Sequence, residues 1–272
     1  MMISTPKITA VITTYNAETM LLRTMRAIGR QTLPVDSILI ANNGNPLTDG
    51  FLEKVSRSQL RVVDLRTNTG PAGGFYHGMT EALSGDSDFF WLLADDIFPE
   101  ARCLSVLFAA VAAAPTSTVA ISRVIEPTGV FAYPGWNGVL TPRSVVDVIG
   151  LPIPELFWWG EDAEYLQKRP RLHGVNVVFP DSALAFHAEE RRTKSWPVWK
   201  YYYVPRNMLY LALYSTSANR SLGMKRRMAG RLVRLLARML RYDYRKAPQS
   251  FAAISNAILD GLRGELPRRY LD

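Results

Sequence analysis

Over residues 7–113, apolar runs rich in β-branched residues alternate with stretches whose apolar positions recur every three or four residues. Residues 7–14 (KITAVITT), 36–41 (DSILIA), 60–65 (LRVVDL) and 88–93 (DFFWLL) predict strands. Residues 18–30 place Leu21, Leu22, Met25 and Ile28 on one helical face. Further helices are expected near 48–57, at about 72–84, and from Pro99 and Glu100 through Ala113. Repeated strand–helix units with apolar strands predict an α/β fold, a mostly parallel sheet flanked by helices. Residues 115–195 are irregular and rich in Pro, Gly and Trp, and 197–272 predict three helices near 197–217, 221–242 and 248–263. The expected division is a domain over 1–196 with a helical extension, 197–272, packed on it.

In such sheets ligands sit beyond the carboxyl ends of the strands. The four predicted exits carry Thr14-Tyr15-Asn16, Asn42-Asn43-Gly44, Asn68-Thr69-Gly70 and Asp95-Asp96. Two adjacent carboxylates, Asp95 and Asp96, suit a hard divalent ion such as Mg²⁺ or Mn²⁺, or are ordinary loop aspartates. Gly73 and Gly74 open a helix whose amides and dipole could meet phosphate, though neither GxGxxG nor the P-loop pattern is present. In FWWGEDAE (157–164), Trp158 and Trp159 could stack on sugars, Glu161 could accept hydroxyl hydrogen bonds, and Asp162 could act as general base. The same residues also fit a helix start with its tryptophans in the core. His187 ends an apolar run and could join a metal site or be an ordinary histidine.

Composition narrows this picture. The 272 residues are 48% hydrophobic and 21% charged, which excludes a disordered chain or a coiled coil. The single Cys103 excludes an internal disulfide or a multi-cysteine zinc site. No apolar run reaches the ~18 residues of a membrane span, and the N-terminal residues lack a signal-peptide core, so a cytoplasmic location is expected. The net charge is +8, and residues 221–246, with nine basic residues against Asp243, account for all of it. A basic surface spread over the chain is therefore absent, and no nucleic acid partner is expected. Within that segment Met224, Met228, Leu232, Leu235, Leu236 and Met239 form an apolar stripe. The segment could lie on the anionic inner face of a membrane, or pack its stripe and leave the arginines in water.

The ordered set ITTYN (12–16), ILIANNGN (38–45), NTGPAGGFYHGM (68–79), WLLADD (91–96), FWWGEDAEY (157–165), AFH (185–187) and KYYYVPRN (200–207) resembles inverting family-2 glycosyltransferases of the GT-A fold. The likeness is to their galactofuranosyltransferase and rhamnosyltransferase branch. It implies a Rossmann-like sheet and metal-dependent transfer of a sugar, galactofuranose or rhamnose, from a UDP- or dTDP-sugar. The acceptor would be a hydroxyl on a glycan, glycolipid or protein. It further implies that Thr14, Asn16 and Asn42 hold the nucleotide, and that Gly73, Gly74 and Asp95 lie against the sugar diphosphate. Asp96 and His187 would bind Mn²⁺ or Mg²⁺, Asp162 would be the base, and Trp158, Trp159 and Glu161 would line the sugar and acceptor sites. Ala94 stands where that branch often has a further aspartate, and Asn42 where the family usually has one. These departures motivate an alternative, a non-catalytic sugar-nucleotide or glycan-binding protein on a degenerate scaffold.

Overall fold

The computed structural model describes residues 6–55, 60–126, 128–188, 194–215 and 222–271, without the side chains of 222–225 and 227. In chain order the elements are β1 (Ile8–Thr14), α1 (Glu18–Ile28), β2 (Ser37–Asn42), α2 (Asp49–Val55), β3 (Leu60–Asp64), α3 (Gly70–Leu83), β4 (Phe89–Ala94), β5 (Ile97–Pro99) and α4 (Cys103–Ala112). Then come β6 (Thr118–Ile121), β7 (Arg123–Glu126), β8 (Gly129–Phe131), β9 (Asn137–Pro142), α5 (Arg143–Ile149), the short α6 (Glu161–Ala163), α7 (Arg169–Leu172), β10 (Asn176–Val178) and β11 (Leu184–His187). Three helices end the chain, α8 (Val198–Leu213), α9 (Leu222–Tyr242) and α10 (Ala247–Arg263). The expected helix ends at 56–57 and 216–217, the start at 221, and the side chain of Met224 lie outside the described residues.

Two compact units emerge. The sheet unit comprises 1–154 and 165–189; the helical unit comprises 155–164 and 190–272. Set beside a division at residue 196, the FWWGED segment groups with the helices. Its Phe157 ring stacks on Tyr203 at 4.6 Å and meets Trp199 edge-on.

The main sheet of the first unit has the order β10-β6-β9-β4-β1-β2-β3. β1 is parallel to β2 and β4, and β2 to β3, whereas β9 runs antiparallel to both β4 and β6. Period-two alternation splits β1 between two cores. Ile8, Ala10 and Ile12 face the layer with Leu21, Met25 and Leu104, while Val11 faces Phe75 and Met79 of α3. Both faces are covered, so the strands read as continuous apolar runs. A smaller sheet, β5-β11-β7-β8, stands beside it. It accounts for two departures from the sequence expectation. The stretch after 115 contains short strands, and Pro99 ends a strand rather than opening a helix. Pro99 pairs with Ala185, the Glu100 amide donates to Leu184 O, and α4 begins only at Cys103. Cys103 is buried, and burial pushes its thiol up to about 12, so it is a packing group.

Among the described residues no helix is long and apolar enough to cross a membrane.

α3 lies close enough to β1 and β2 that its glycines have no room for a side chain. A Cβ on Gly74 would sit 2.0 Å from Thr13 Oγ1 and 2.6 Å from Asn43 Nδ2. Gly74→Ala should therefore cost about 1–3 kcal/mol, read as a lower melting temperature. Gly50→Ala, with nothing within 4 Å of the new carbon, should leave it unchanged or raise it.

Candidate functional site

The strand order reverses at β1. From β1 the chain proceeds to β2 and β3 on one side, then α3 returns it to β4 on the other. Ligands of open α/β sheets bind at this kind of reversal. Here the exits of β1 and β4 are tied together: Thr14 Oγ1 donates to Asp95 Oδ2 at 2.6 Å, and Thr24 Oγ1 of α1 donates to Asp95 O at 2.6 Å. Burial pushes the Asp95 carboxyl up to about 6, opposed by the Thr14 hydroxyl and aided by the charge of Asp96.

Asp96 meets His187 across the smaller sheet. β5 and β11 pair antiparallel with His187 opposite Ile97, and the Ala188 amide donates to Asp96 O at 2.8 Å. This pairing leaves His187 Nε2 3.2 Å from Asp96 Oδ2. One carboxylate oxygen and one imidazole nitrogen converge there, a donor set that fits Mn²⁺ or Mg²⁺. Among the described residues no group of three or more His, Cys, Asp or Glu side chains could hold a metal. Mg²⁺ commonly keeps several waters and binds through one or two carboxylates together with phosphate oxygens.

At the β2 exit, a hollow of about 420 Å³ is lined by Asn16, Glu18, Asn42, Asn45, Leu47 and Thr48, among others. Asn16 holds its left-handed backbone (φ 52°) while its side chain accepts from the Asn45 amide at 2.8 Å. Asn42 is only 1% exposed, and its amide is engaged inside the protein. It donates to Asn45 O at 2.8 Å and to Asp64 Oδ1 at 2.7 Å, and accepts from the Gly44 amide at 3.1 Å. The side chain expected to meet a nucleotide is thus spent on holding the turn.

A buried polar chain links the strand exits to α3. Asn43 Nδ2 donates to Thr13 Oγ1 at 2.9 Å, and Asn43 Oδ1 accepts from the Thr69 amide at 2.9 Å and from its hydroxyl. Gly73 and Gly74 are buried against Thr69 and against Thr13 and Asn43. Packing alone therefore requires glycine at both positions.

The remaining candidates lie in the helical unit. Phe157 (φ 61°), Trp159 (φ 77°) and Gly160 (φ 86°) all adopt left-handed backbone. For the two non-glycine residues this costs on the order of 1–3 kcal/mol each. Two neighbours on α8 hold the loop in place. Asn207 Nδ2 donates to the carbonyls of Leu156, Trp158 and Trp159 at 2.8–2.9 Å. Arg206, fully buried, donates to Glu155 O at 2.8 Å, to Leu156 O at 3.1 Å and to Pro267 O at 2.6 Å. Trp158 packs edge-on against Trp199 and Trp196, with the Lys200 ammonium 4.9 Å from its centroid, and Arg231 lies over Trp159 at 5.6 Å. Glu161 is buried and Asp162 half-buried at the start of α6. Burial raises the Asp162 carboxyl above its ordinary value, against the Ala163 amide, which donates to Asp162 Oδ1 at 2.6 Å.

The sequence profile of glycosyl transferase family 2 matches residues 9–187. The chain belongs to glycosyl transferase family 2. It is 26% identical over 192 residues to the galactofuranosyltransferase GlfT1 of Mycobacterium tuberculosis, a match covering 59% of this chain and 63% of that protein. The chain thus spans less than two thirds of the length of that relative. Solved structures share the fold. Staphylococcus aureus TarS in complex with UDP-GlcNAc aligns with a TM-score of 0.61 at 16% identity, over 96% of this chain and 82% of its own. The mannosyltransferase PcManGT of Pyrobaculum calidifontis, in complex with GDP-Man and Mn²⁺, aligns at 0.59 and 17% identity, over 96% and 88%. The architecture is therefore GT-A-like.

For this family-2 chain, the sheet unit brings together Thr14, Asp95, Asp96 and His187, with Asn16 and Asn42 at the neighbouring exit. Trp158, Trp159, Glu161 and Asp162 stand in the helical unit. Sequence reasoning missed Arg206 and Asn207 as the residues that hold the FWWGED loop, although KYYYVPRN was visible. It also missed Asp64, the partner of Asn42. That pairing yields a test. Asn42→Asp would set two carboxylates at hydrogen-bond distance and remove a donor from Asn45 O. At neutral pH the variant should lose about 1–3 kcal/mol of stability. Repulsion raises the folded-state carboxyl pKa, so the loss should shrink as pH falls through the carboxylate range, measured by melting across pH.

Proposed function

We propose that this protein transfers a sugar from a nucleotide-diphosphate sugar to an acceptor hydroxyl, with inversion at the anomeric carbon. The observation that carries the reading is the convergence of Asp96 and His187 beside the Thr14–Asp95 hydrogen bond, at the point where the sheet order reverses. Family membership supports it, and TarS and PcManGT, which share the fold, have been solved in complex with UDP-GlcNAc and GDP-Man. The donor sugar we propose is galactofuranose, from UDP-galactofuranose, because a relative at 26% identity over 192 residues is a galactofuranosyltransferase. Rhamnose from its dTDP-sugar is the second choice. The hollow at the β1 and β2 exits would take the nucleoside, and the acceptor would be a glycan, a glycolipid or a protein. We place the reaction in the cytoplasm, where a buried thiol such as Cys103 stays reduced.

In this scheme Asp96 and His187 would hold a divalent ion, which supplies charge neutralisation for the leaving diphosphate. Thr14 steadies Asp95, keeping the carboxylates of the β4 exit in fixed positions. The acceptor oxygen attacks the anomeric carbon, the bond from that carbon to the diphosphate oxygen breaks, and the nucleoside diphosphate leaves. Asp162 takes the proton of the attacking hydroxyl. Asn207 and Arg206 hold the loop that carries Asp162.

Asp162→Asn should lower transfer by about 10²–10⁴-fold, the range typical of a lost general base, with donor binding retained. Product formation and nucleotide binding are measured on the same protein, and a wild-type rate would remove Asp162 from the role. A base must be ionised, and the Asp162 carboxyl titrates above its ordinary value. Transfer should therefore fall as pH drops through that raised value and level off above it, whereas a profile set by an ordinary aspartate would hold to lower pH. His187→Ala should raise the Mn²⁺ concentration giving half-maximal activity by more than about a hundredfold, beyond the loss typical of outer-shell changes. An unchanged metal titration would exclude His187 as a ligand.

A further inference from the structure

The apolar stripe that the sequence shows on α9 is turned inward. Leu235 and Met239 are buried with Tyr201, Tyr202, Ala253 and Ile254, and Leu236 packs against the same cluster. That stripe serves the core of the helical unit and is not free for a partner. A second stripe runs along the outer side of the helix: Ala229, Val233, Ala237 and Leu240, continued by Tyr244 on the next turn, spaced by three or four residues and all exposed. Val233 is 64%, Leu240 56% and Tyr244 62% exposed. Arg226, Arg234, Arg241 and Arg245 are exposed alongside them.

Among the described residues this face carries positive charge without a compensating carboxylate. The one acidic residue of the stretch, Asp243, is buried and engaged elsewhere. It accepts from Ser195, from the Trp196 amide at 3.0 Å and from Tyr201 Oη at 2.6 Å. Burial opposes its ionisation, yet these bonds hold its carboxyl below the usual value. Among the described residues no carboxylate pairs with Arg226, Arg234 or Arg241.

We propose that this outer face of α9 rests on an anionic lipid bilayer, with the helix in the plane of the surface. The guanidinium groups would meet headgroup phosphates, and Val233, Leu240 and Tyr244 would enter the interfacial layer. Charge and apolarity together select this occupant. A second copy docking through the same face would set guanidinium against guanidinium. A nucleic acid would satisfy the arginines but leave Val233 and Leu240 in water.

The test is partition of the whole protein onto vesicles of pure phosphatidylcholine and of a phosphatidylcholine–phosphatidylglycerol mixture. Strong salt-sensitive partition onto the anionic vesicles alone is expected. The double variants Arg234→Glu/Arg241→Glu and Val233→Glu/Leu240→Glu, at exposed positions, should keep the wild-type melting temperature and lose at least tenfold in partition. Arg234→Lys/Arg241→Lys should retain it. No partition by the wild type, or equal partition by the glutamate variants, would overturn the proposal. So would displacement from vesicles by equimolar duplex DNA, or a dimer that the Val233→Glu/Leu240→Glu variant dissolves. Binding measured this way needs neither donor nor acceptor, so its failure and failure of the transfer reaction are distinguishable.

Discussion

Two neighbouring strand exits, β1 and β4, are held together by the hydrogen bond from Thr14 to Asp95. The constraint behind it is topological. A sheet whose order reverses at β1 opens a crevice there, and what ends β1 and β4 faces that crevice. Asp95 and Asp96 put two carboxylates into it, and burial makes the first reluctant to ionise. The pairing of β5 with β11 then adds His187 to Asp96. In the proposed function these like charges beside one imidazole would take a cation, and with it the phosphates that share one.

The second unit solves a different problem. Its FWWGED loop includes two non-glycine residues in left-handed backbone. A cost of that size persists only when the surroundings over-determine the conformation. Asn207 and Arg206 do this with five hydrogen bonds to four loop carbonyls, each worth about 1 kcal/mol net and more where a charged donor is used. Placing Asp162 on so constrained a loop fixes its position at the expense of backbone strain.

Much of this was legible in the chain. The apolar runs of β1, β2 and β4 and the three-or-four spacing of α1 marked the strand–helix units because burial on both faces of those strands leaves a plain pattern. The exits, and with them Thr14, Asp95 and Asp96, followed from where the predicted strands end. Other features depend on distant pairing that no local pattern carries. Pro99 resembles a helix start until Ala185 is seen opposite it. The short strands after residue 115 are too brief for period-two alternation to show. Asn42 looks available at a strand exit, yet its partners Asn45 and Asp64 consume its amide. On α9 the inward stripe was visible and the outward one was not, because arginines interrupt it.

The most direct measurement of the central claim is the melting temperature of the protein with UDP, dTDP and GDP, each in the presence of Mn²⁺ and of a chelator. A ligand held at 100 times its dissociation constant adds about 2.7 kcal/mol, which a melting curve resolves easily. The account predicts stabilisation by one nucleoside diphosphate that vanishes with the chelator and is lost in Asp96→Asn. Stabilisation by none of the three, or one indifferent to both metal and Asp96, would contradict it.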